Sequence, residues 1–348
     1  MATTLPDQPA TRTTSGPVLE VRDLTVEFPT DDGGDGQALG TTEHGVKVHE
    51  VPATTTEREF TVVRRSQTQM ITRRFMAHKL AVGSLVVFVL VVIISLIGGR
   101  FWKYGYADIT DEFSSPPSLE HPMGTDDIGH DSFARILRGA QKSVQVALMV
   151  AVLATTLGAV IGALAGYYRG WVDSALMRFT DLVLTIPSIA ILAVLAATVS
   201  NQAGNWFFIG LVLALLQWTY IARVVRGTFL SLREKEFVEA ARALGASDTR
   251  IMFKHLLPNA TGSIIVNATN TVAVAIQVET ALSNLGLGIK APDTSLGLLI
   301  SAGQQAATTR PWLFYFPGLI IVIIALTINF IGDGLRDAFD PTQTRVRA

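Results

Sequence analysis

Cysteine is absent from this 348-residue sequence, so disulfides, thiolate metal sites and cysteine nucleophiles are excluded together. Charge is scarce: Asp, Glu, Lys and Arg make up 16% of the residues, against about 25% in soluble chains. The formal net charge is -1, which leaves no global basic field to gather nucleic acid. No G-x-x-x-x-G-K-[ST] loop occurs, so the phosphate cradle of an ATPase is missing. No apolar stretch follows a basic start at the N-terminus, as a cleaved secretory signal requires. The first hydrophobic segment is therefore expected to act as the targeting signal and to stay in the protein. The charge deficit is concentrated: none falls between Leu182 and Ala222.

What is present is hydrophobic, 49% of residues. A helix needs about 20 apolar residues to cross a bilayer. The charge-poor runs predict an all-α polytopic membrane protein with spans near 80–99, 144–167, 182–199, 206–222, 262–285 and 312–331. The run from Leu182 to Ala222 is too long for one span and is expected to divide at the polar hinge Ser200–Asn205. Arg64, Arg65, Arg73, Arg74 and Lys79 lie just before the first span, in a basic amphipathic segment 64–79 with apolar Met70, Ile71, Phe75 and Met76. They predict a cytoplasmic N-terminus, and six spans return the C-terminus to the same side. Arg169, Arg178, Arg223, Arg226, Arg233, Lys235, Arg242, Arg250 and Lys254 then all fall inside. The external loop 100–143 is net acidic, with Asp108, Asp111, Glu112, Glu120, Asp126, Asp127 and Asp131. The domain division is a cytoplasmic tail (1–63), the basic helix (64–79), the membrane domain (80–341) and a short cytoplasmic tail (342–348).

The longest water-compatible stretch of the C-terminal half is Glu236–Asn259, EFVEAARALGASDTRIMFKHLLPN, within loop 223–261. Phe237, Ala240, Ala241 and Leu244 recur at helical spacing. Gly245 interrupts them as a helix C-terminus would. A second short helix is expected from Ser247, its N-cap, with Ile251 and Leu256 apolar. Its end is expected before Pro258, because proline disfavours helix at the preceding residue. The physics alone fits either a pair of interfacial helices or a unit shaped for a soluble partner. The pattern Glu239-Ala240-Ala241, Gly245, Leu257-Pro258 resembles the EAA loop of ABC-importer permeases. His255 stands where that family has isoleucine, and the HLLPN ending is similar to the peptide-importer branch.

Other segments bear on the same resemblance. His121–Gly139, HPMGTDDIGHDSFARILRG, resembles the external stretch of C-type dipeptide/oligopeptide permease subunits. His130 stands where that group usually has arginine. His121, Asp126, Asp127, His130 and Asp131 could be imagined as metal ligands. Their setting among loop glycines favours turn and capping roles, with Asp131 opening a helix. Gly158, Gly162 and Gly166 form a smooth face for close helix packing. In the turn that follows, Asp173, Arg178 and Asp181 are expected to pair locally. Asn267, Asn270, Thr271 and Gln277 share a stripe about 120° wide on the fifth span. Such a stripe either lines a translocation path or supports interhelical hydrogen bonds. Glu279, off the stripe near the outer end, is a second lining candidate. Asn284–Gly288 and Gly332–Pro341 are also similar to family segments. In the N-terminal tail, Leu24, Val26 and Phe28 alternate as a strand. Val18–Gly33 is similar to the opening strand of ABC ATPase subunits; a fortuitous β-like stretch is the alternative. If ordered, it needs an edge, on a partner ATPase or at Arg58–Val63.

The resemblance, from about residue 70 to 341, implies a permease subunit of a dipeptide/oligopeptide ABC importer in the plasma (inner) membrane. It implies a second homologous permease subunit, two ATPase subunits that carry the ATP and Mg, and an extracytoplasmic substrate-binding protein. This chain itself would bind no cofactor and perform no bond chemistry. Glu239 would support the helix–turn–helix or touch the ATPase, Ala240 and Ala241 would keep that contact close, and Pro258 would fix the exit to the fifth span. The same architecture could carry a nickel chelate, glutathione or an antimicrobial peptide. A membrane enzyme would need convergent ionisable residues inside the spans; Glu279 is the only clear candidate there, which argues against that class.

Overall fold

The structure is a computed structural model that describes residues 67–198 and 205–340. The ATPase-like strand, most of the hinge after the third hydrophobic run and the last residues lie outside this range. The described residues are helical: α1 (Gln67–Ala77), α2 (Lys79–Phe101), α3 (Ser132–Tyr168), α4 (Gly170–Thr185), α5 (Ser188–Thr198), α6 (Trp206–Arg233), α7 (Glu236–Ala243), α8 (Asp248–Arg250), a π-turn (Ile251–Leu256), α9 (Leu257–Asn284), α10 (Leu296–Gln304) and α11 (Trp312–Phe339). Isolated antiparallel bridges, Ile109 with His130 and Thr125 with Asp131, pin the loop between α2 and α3.

Five helices among the described residues are long and apolar enough to cross a membrane: α2, α3, α6, Asp248–Asn284 and α11. The α4–α5 pair makes a sixth only as a broken span, bent by 71°. The run expected as a span near 182–199 is interrupted: its first residues belong to α4 and most of the rest to α5. Pro187 holds Ile186 extended (φ -86, ψ 123) and ends α4 at Thr185.

Two further boundaries differ from expectation. The amphipathic helix opened by Asp131 and the span near 144–167 are one helix of 37 residues. Gly139 is the potential breaker there, but it serves contact instead: a Cβ would lie 3.0 Å from the Leu296 nitrogen at the start of α10. The second short helix of the loop between α6 and α9 does not stop before Pro258 either. Asp248–Asn284 forms one span-length element, and Pro258 occupies its first α-turn after the π-turn. The Leu257 N–H reaches back to the Met252 carbonyl, five residues away. A proline ring collides with the carbonyl four residues earlier in a regular α-helix; the wider π-turn opens that position.

Two apolar clusters stack along the bundle. One joins Val146 and Val150 of α3, Leu213 of α6, Ile276 of α9, Leu296 of α10 and Ile324 of α11. The other joins Ala163 of α3 and Ile221 and Phe229 of α6 to Val238, Ile251 and Leu256. The hydrophilic-looking loop between α6 and α9 thus shares a core with the membrane helices. Down the seam, Gly158, Gly162 and Gly166 lie against α6. A Cβ on Gly158 would sit 2.7 Å from the Ile221 Cβ, and one on Gly166 2.7 Å from the Phe229 Cβ. The small residues let the two backbones touch.

Candidate functional site

The loop between α6 and α9 ends its first helix in a complete glycine cap. Gly245 has φ +77, the left-handed conformation that costs a Cβ-bearing residue roughly 1–2 kcal/mol. The Ala246 N–H bonds to the Ala241 carbonyl at 3.0 Å and the Gly245 N–H to the Arg242 carbonyl at 2.9 Å, which is the Schellman arrangement. Nothing lies within 4 Å of a Cβ built on Gly245. Glycine is needed here for the turn, not for space. Ser247 stands at the N-cap of the next turn without a side-chain cap bond.

Helix α7 has two unlike faces. Val238 and Ala241 point into the core shared with Ile251, Met252 and Leu256. Phe237, Ala240 and Leu244, together with Glu239, stay exposed, and Leu244 is 88% exposed. Phe253 on the π-turn is exposed as well. Ala241, expected on the partner-facing side with Ala240, is turned inward. His255 and Leu257 are half-buried, and Pro258 is exposed.

Ionic contacts brace this unit from the side. The Tyr167 hydroxyl at the end of α3 donates to Asp248 Oδ1 at 2.6 Å, and Arg233 donates to the Tyr167 carbonyl. Arg226 grips Asp173 with two bonds of 2.5 and 2.6 Å, and Arg223 meets Asp181 at 2.6 Å. Asp173 and Asp181 therefore pair across to α6 rather than locally with Arg178. Arg169 also pairs with Glu234.

The polar stripe on α9 divides. Asn270 and Gln277 are exposed, Asn267 is half-buried and Thr271 is buried. The last two satisfy themselves along the helix: Asn267 donates to the Ser263 carbonyl at 2.7 Å and Thr271 to the Asn267 carbonyl at 2.9 Å. Glu279 is fully buried. Ser283 and Ser143 donate to its two oxygens at 2.8 and 3.2 Å. Ser143 also accepts from the Leu296 N–H at 3.2 Å. The carboxyl ties α3, α9 and α10 together and does not open onto a cavity in this conformation.

Beside this knot lies a clamp that the sequence reading missed. Asp293 receives Arg138 through bonds of 2.7 and 3.1 Å and Lys142 at 3.1 Å. Burial pushes the Asp293 carboxyl up, but the hydrogen bonds from Arg138 and Lys142 hold it below the ordinary carboxylate range. Arg138 and Asp293 are 155 positions apart, and no local pattern pairs them. The unusual signal was three basic residues, Arg135, Arg138 and Lys142, at helical spacing on one face of the outer part of α3.

The histidines and aspartates of the loop between α2 and α3 engage each other and the backbone. Asp131 caps α3 by accepting from the Ala134 N–H at 2.7 Å. It also accepts from Trp102 Nε1 at 3.0 Å and lies 2.7 Å from His121 Nδ1. Asp126 takes the His130 N–H at 2.8 Å, the His130 ring at 2.9 Å and Arg135. Burial raises its carboxyl, and the His130 bonds followed by the Arg135 charge bring it below the usual range. His130 thus joins the ion-pair cluster from the position where the family has arginine. Asp127 stays exposed. Among the described residues, no group of three or more His, Asp or Glu is arranged to hold a metal ion.

Comparison with known proteins fits this geometry. Residues 158–345 match the family model described as "Binding-protein-dependent transport system inner membrane component". Residues 66–117 match the "N-terminal TM domain of oligopeptide transport permease C". The chain is 41% identical to the oligopeptide transport system permease protein OppC of Mycobacterium tuberculosis over 283 residues, 81% of this chain and 97% of that protein. It is 38% identical to the OppC protein of Bacillus subtilis over 269 residues, 77% of this chain and 87% of that one. Among solved structures, a chain of an inward-facing MetNI methionine ABC transporter shares the fold, with TM-score 0.50 at 20% identity over 59% of this chain and 95% of that one. This chain belongs to the inner-membrane-component family of binding-protein-dependent transport systems, in its oligopeptide permease C branch.

Proposed function

We propose that the chain is the C-type membrane subunit of an ATP-driven oligopeptide importer and forms half of its translocation path. It works with a second, homologous permease subunit, two ATPase subunits that bind the ATP and Mg, and an extracytoplasmic binding protein. Both termini lie in the cytoplasm, in keeping with the basic residues around α1 and along the α6–α9 loop. The observation that carries the reading is the two-faced loop. Its inner face, Val238, Ala241 and Ile251, belongs to the core of the spanning helices. Its outer face leaves Phe237 and Leu244 exposed. Apolar side chains on a charged loop outside the bilayer call for a protein partner. A push on that face travels into α9 without a flexible joint, because the loop's second turn and the span are one helix. ATP-driven closure of the ATPases would then rock the bundle and expose the path to alternate sides. Asn270 and Gln277 are the stripe residues on the open face of α9. Glu239 meets the ATPase from the exposed side of α7.

The test is Gly245→Val. The new side chain has room but not the backbone conformation. The subunit should still insert and assemble, while ATP hydrolysis by the reconstituted transporter no longer tracks peptide uptake. Wild-type uptake per ATP would sink the coupling role.

A further inference from the structure

We propose that the groove between α2 and α11 is a binding site for an anionic diacylglycerophospholipid. The groove is shallow and open along one side, with a volume of about 400 Å³. Its walls carry Lys79, Gly83, Ser84 and Val87 from α2, with Ile323 and Leu326 from α11. Gly83 keeps the floor open, since a Cβ there would meet nothing within 4 Å. Three polar groups interrupt an otherwise apolar lining, Lys79, Ser84 and Thr327, and the Thr327 hydroxyl is already taken by the Ile323 and Ile324 carbonyls of its own helix. Lys79 stands at the mouth, exposed and without an ion pair among the described residues. Ser84 lies deeper, only 8% exposed, and its hydroxyl makes no hydrogen bond to a described residue.

Their order along α2 matches one ligand chemistry. Five residues of helix separate Lys79 from Ser84, a rise of about 7.5 Å, and Val87 is about 12 Å from Lys79. A phosphate at the ammonium, an ester carbonyl at the serine hydroxyl and an acyl chain against Val87, Ile323 and Leu326 follow the sequence of groups in a glycerophospholipid. The depth fits one leaflet of a hydrocarbon core about 30 Å thick. The leaflet is cytoplasmic if the orientation proposed above holds; the site itself does not depend on that. At the same end α11 carries Asp333, Arg336 and Asp337, and Arg74 of α1 donates to the Asp340 carbonyl at 3.0 Å. Asp337 lies 3.6 Å from His78. A purely apolar helix from another subunit would fill the walls but leave Lys79 and the Ser84 hydroxyl unanswered.

The experiment uses the assembled transporter in lipid nanodiscs. Phosphatidylglycerol and phosphatidylcholine, each with a photoreactive acyl chain, are supplied at equal mole fraction. Labelling is mapped to the peptides spanning 80–87 and 323–330. Phosphatidylglycerol should label them in roughly fivefold excess, the factor that one basic residue near an anionic surface contributes. Lys79→Gln should bring the two lipids to parity and Lys79→Arg should keep the preference. Gly83→Leu, which fills the floor, should reduce labelling by both. Each variant is scored only as an assembled complex isolated by size exclusion. Equal labelling by the two lipids in the wild type would reduce the groove to ordinary lipid contact. No labelling of either peptide, with protein crosslinks in its place, would assign the groove to a subunit interface. Both results overturn the proposal.

Discussion

Replacing Gly162 with alanine adds one methyl group and should weaken the bundle measurably. The new Cβ would fall 2.9 Å from the Val225 Cβ and 3.0 Å from the Arg226 nitrogen, and closer still to the Ala222 carbonyl oxygen. Carbon atoms rest at about 3.5–4.0 Å, so α6 must withdraw by roughly 0.5–1 Å. These are backbone atoms and a β-branched stem, which have no rotamer to yield. Overpacking of this kind costs about 1–3 kcal/mol. Gly227, also on α6, supplies the internal control. Nothing lies within 4 Å of a Cβ there, and alanine is the better helix former by about 0.8–1.0 kcal/mol. The same chemical change at two sites should therefore act in opposite directions, with a spread of about 2–4 kcal/mol. The assay is the fraction of purified transporter that stays monodisperse after heating in one detergent. Gly162→Ala should fall below wild type at every temperature in the transition, and Gly227→Ala should match or exceed it. A Gly162→Ala transporter as heat-resistant as wild type would refute the backbone contact.

Asp293→Asn should leave Arg138 and Lys142 without their counter-charge and destabilise the outer end by about 2 kcal/mol, less than the 3–5 of a fully buried broken pair. The Asp293 carboxyl is held low in the folded chain, so its stabilisation is complete above the ordinary carboxylate pKa near 4. It is lost as pH falls through the depressed value. Heat resistance scanned from pH 7 down to acid should drop below about pH 4, and Asp293→Asn should lack that part of the slope. Asp131→Ala removes the α3 cap, at about 1 kcal/mol, and strands Trp102 Nε1. A red shift in tryptophan emission with lower heat resistance should report it; unchanged emission would show that the Asp131 contact is not made. In the loop between α6 and α9, if it couples as proposed, Gly245→Ala should uncouple less than Gly245→Val, because alanine meets only the backbone strain and valine adds a β-branch. Equal effects in uptake assays would assign the defect to the exposed surface and not to the turn.

Local chemistry was legible in the sequence. The helix that stops at Gly245 and the cap at Asp131 each follow from what one residue permits its neighbours; the break at Pro187 was missed, because the charge-free run continues through it. The glycine face on α3 was equally readable, because four-residue spacing fixes which residues share a face. The helix into the fifth span was misread at Pro258. Local preference ends a helix there, and a π-turn can be chosen only when the preceding turn has something to pack on, here Ile251, Met252 and Leu256 in the core of α3 and α6.

The sequence by itself determined a polytopic helical membrane protein, its family and the position of a polar loop between the fourth and fifth hydrophobic runs. Charge scarcity and the length of apolar runs carry that information residue by residue. Tertiary structure alone decided which way each face turns. Ala240 and Ala241 are adjacent and alike, yet one is exposed and the other lies in the core. Glu279 was legible as a carboxyl in a span, but only the meeting of α3 and α10 supplied Ser143 and the Leu296 N–H to complete the knot. Asp173 and Asp181 found arginines on α6 and not the one between them. The reason is specific to membranes: lipid is as apolar as a protein core, so hydrophobicity along the chain marks what enters the bilayer but not which side meets another helix.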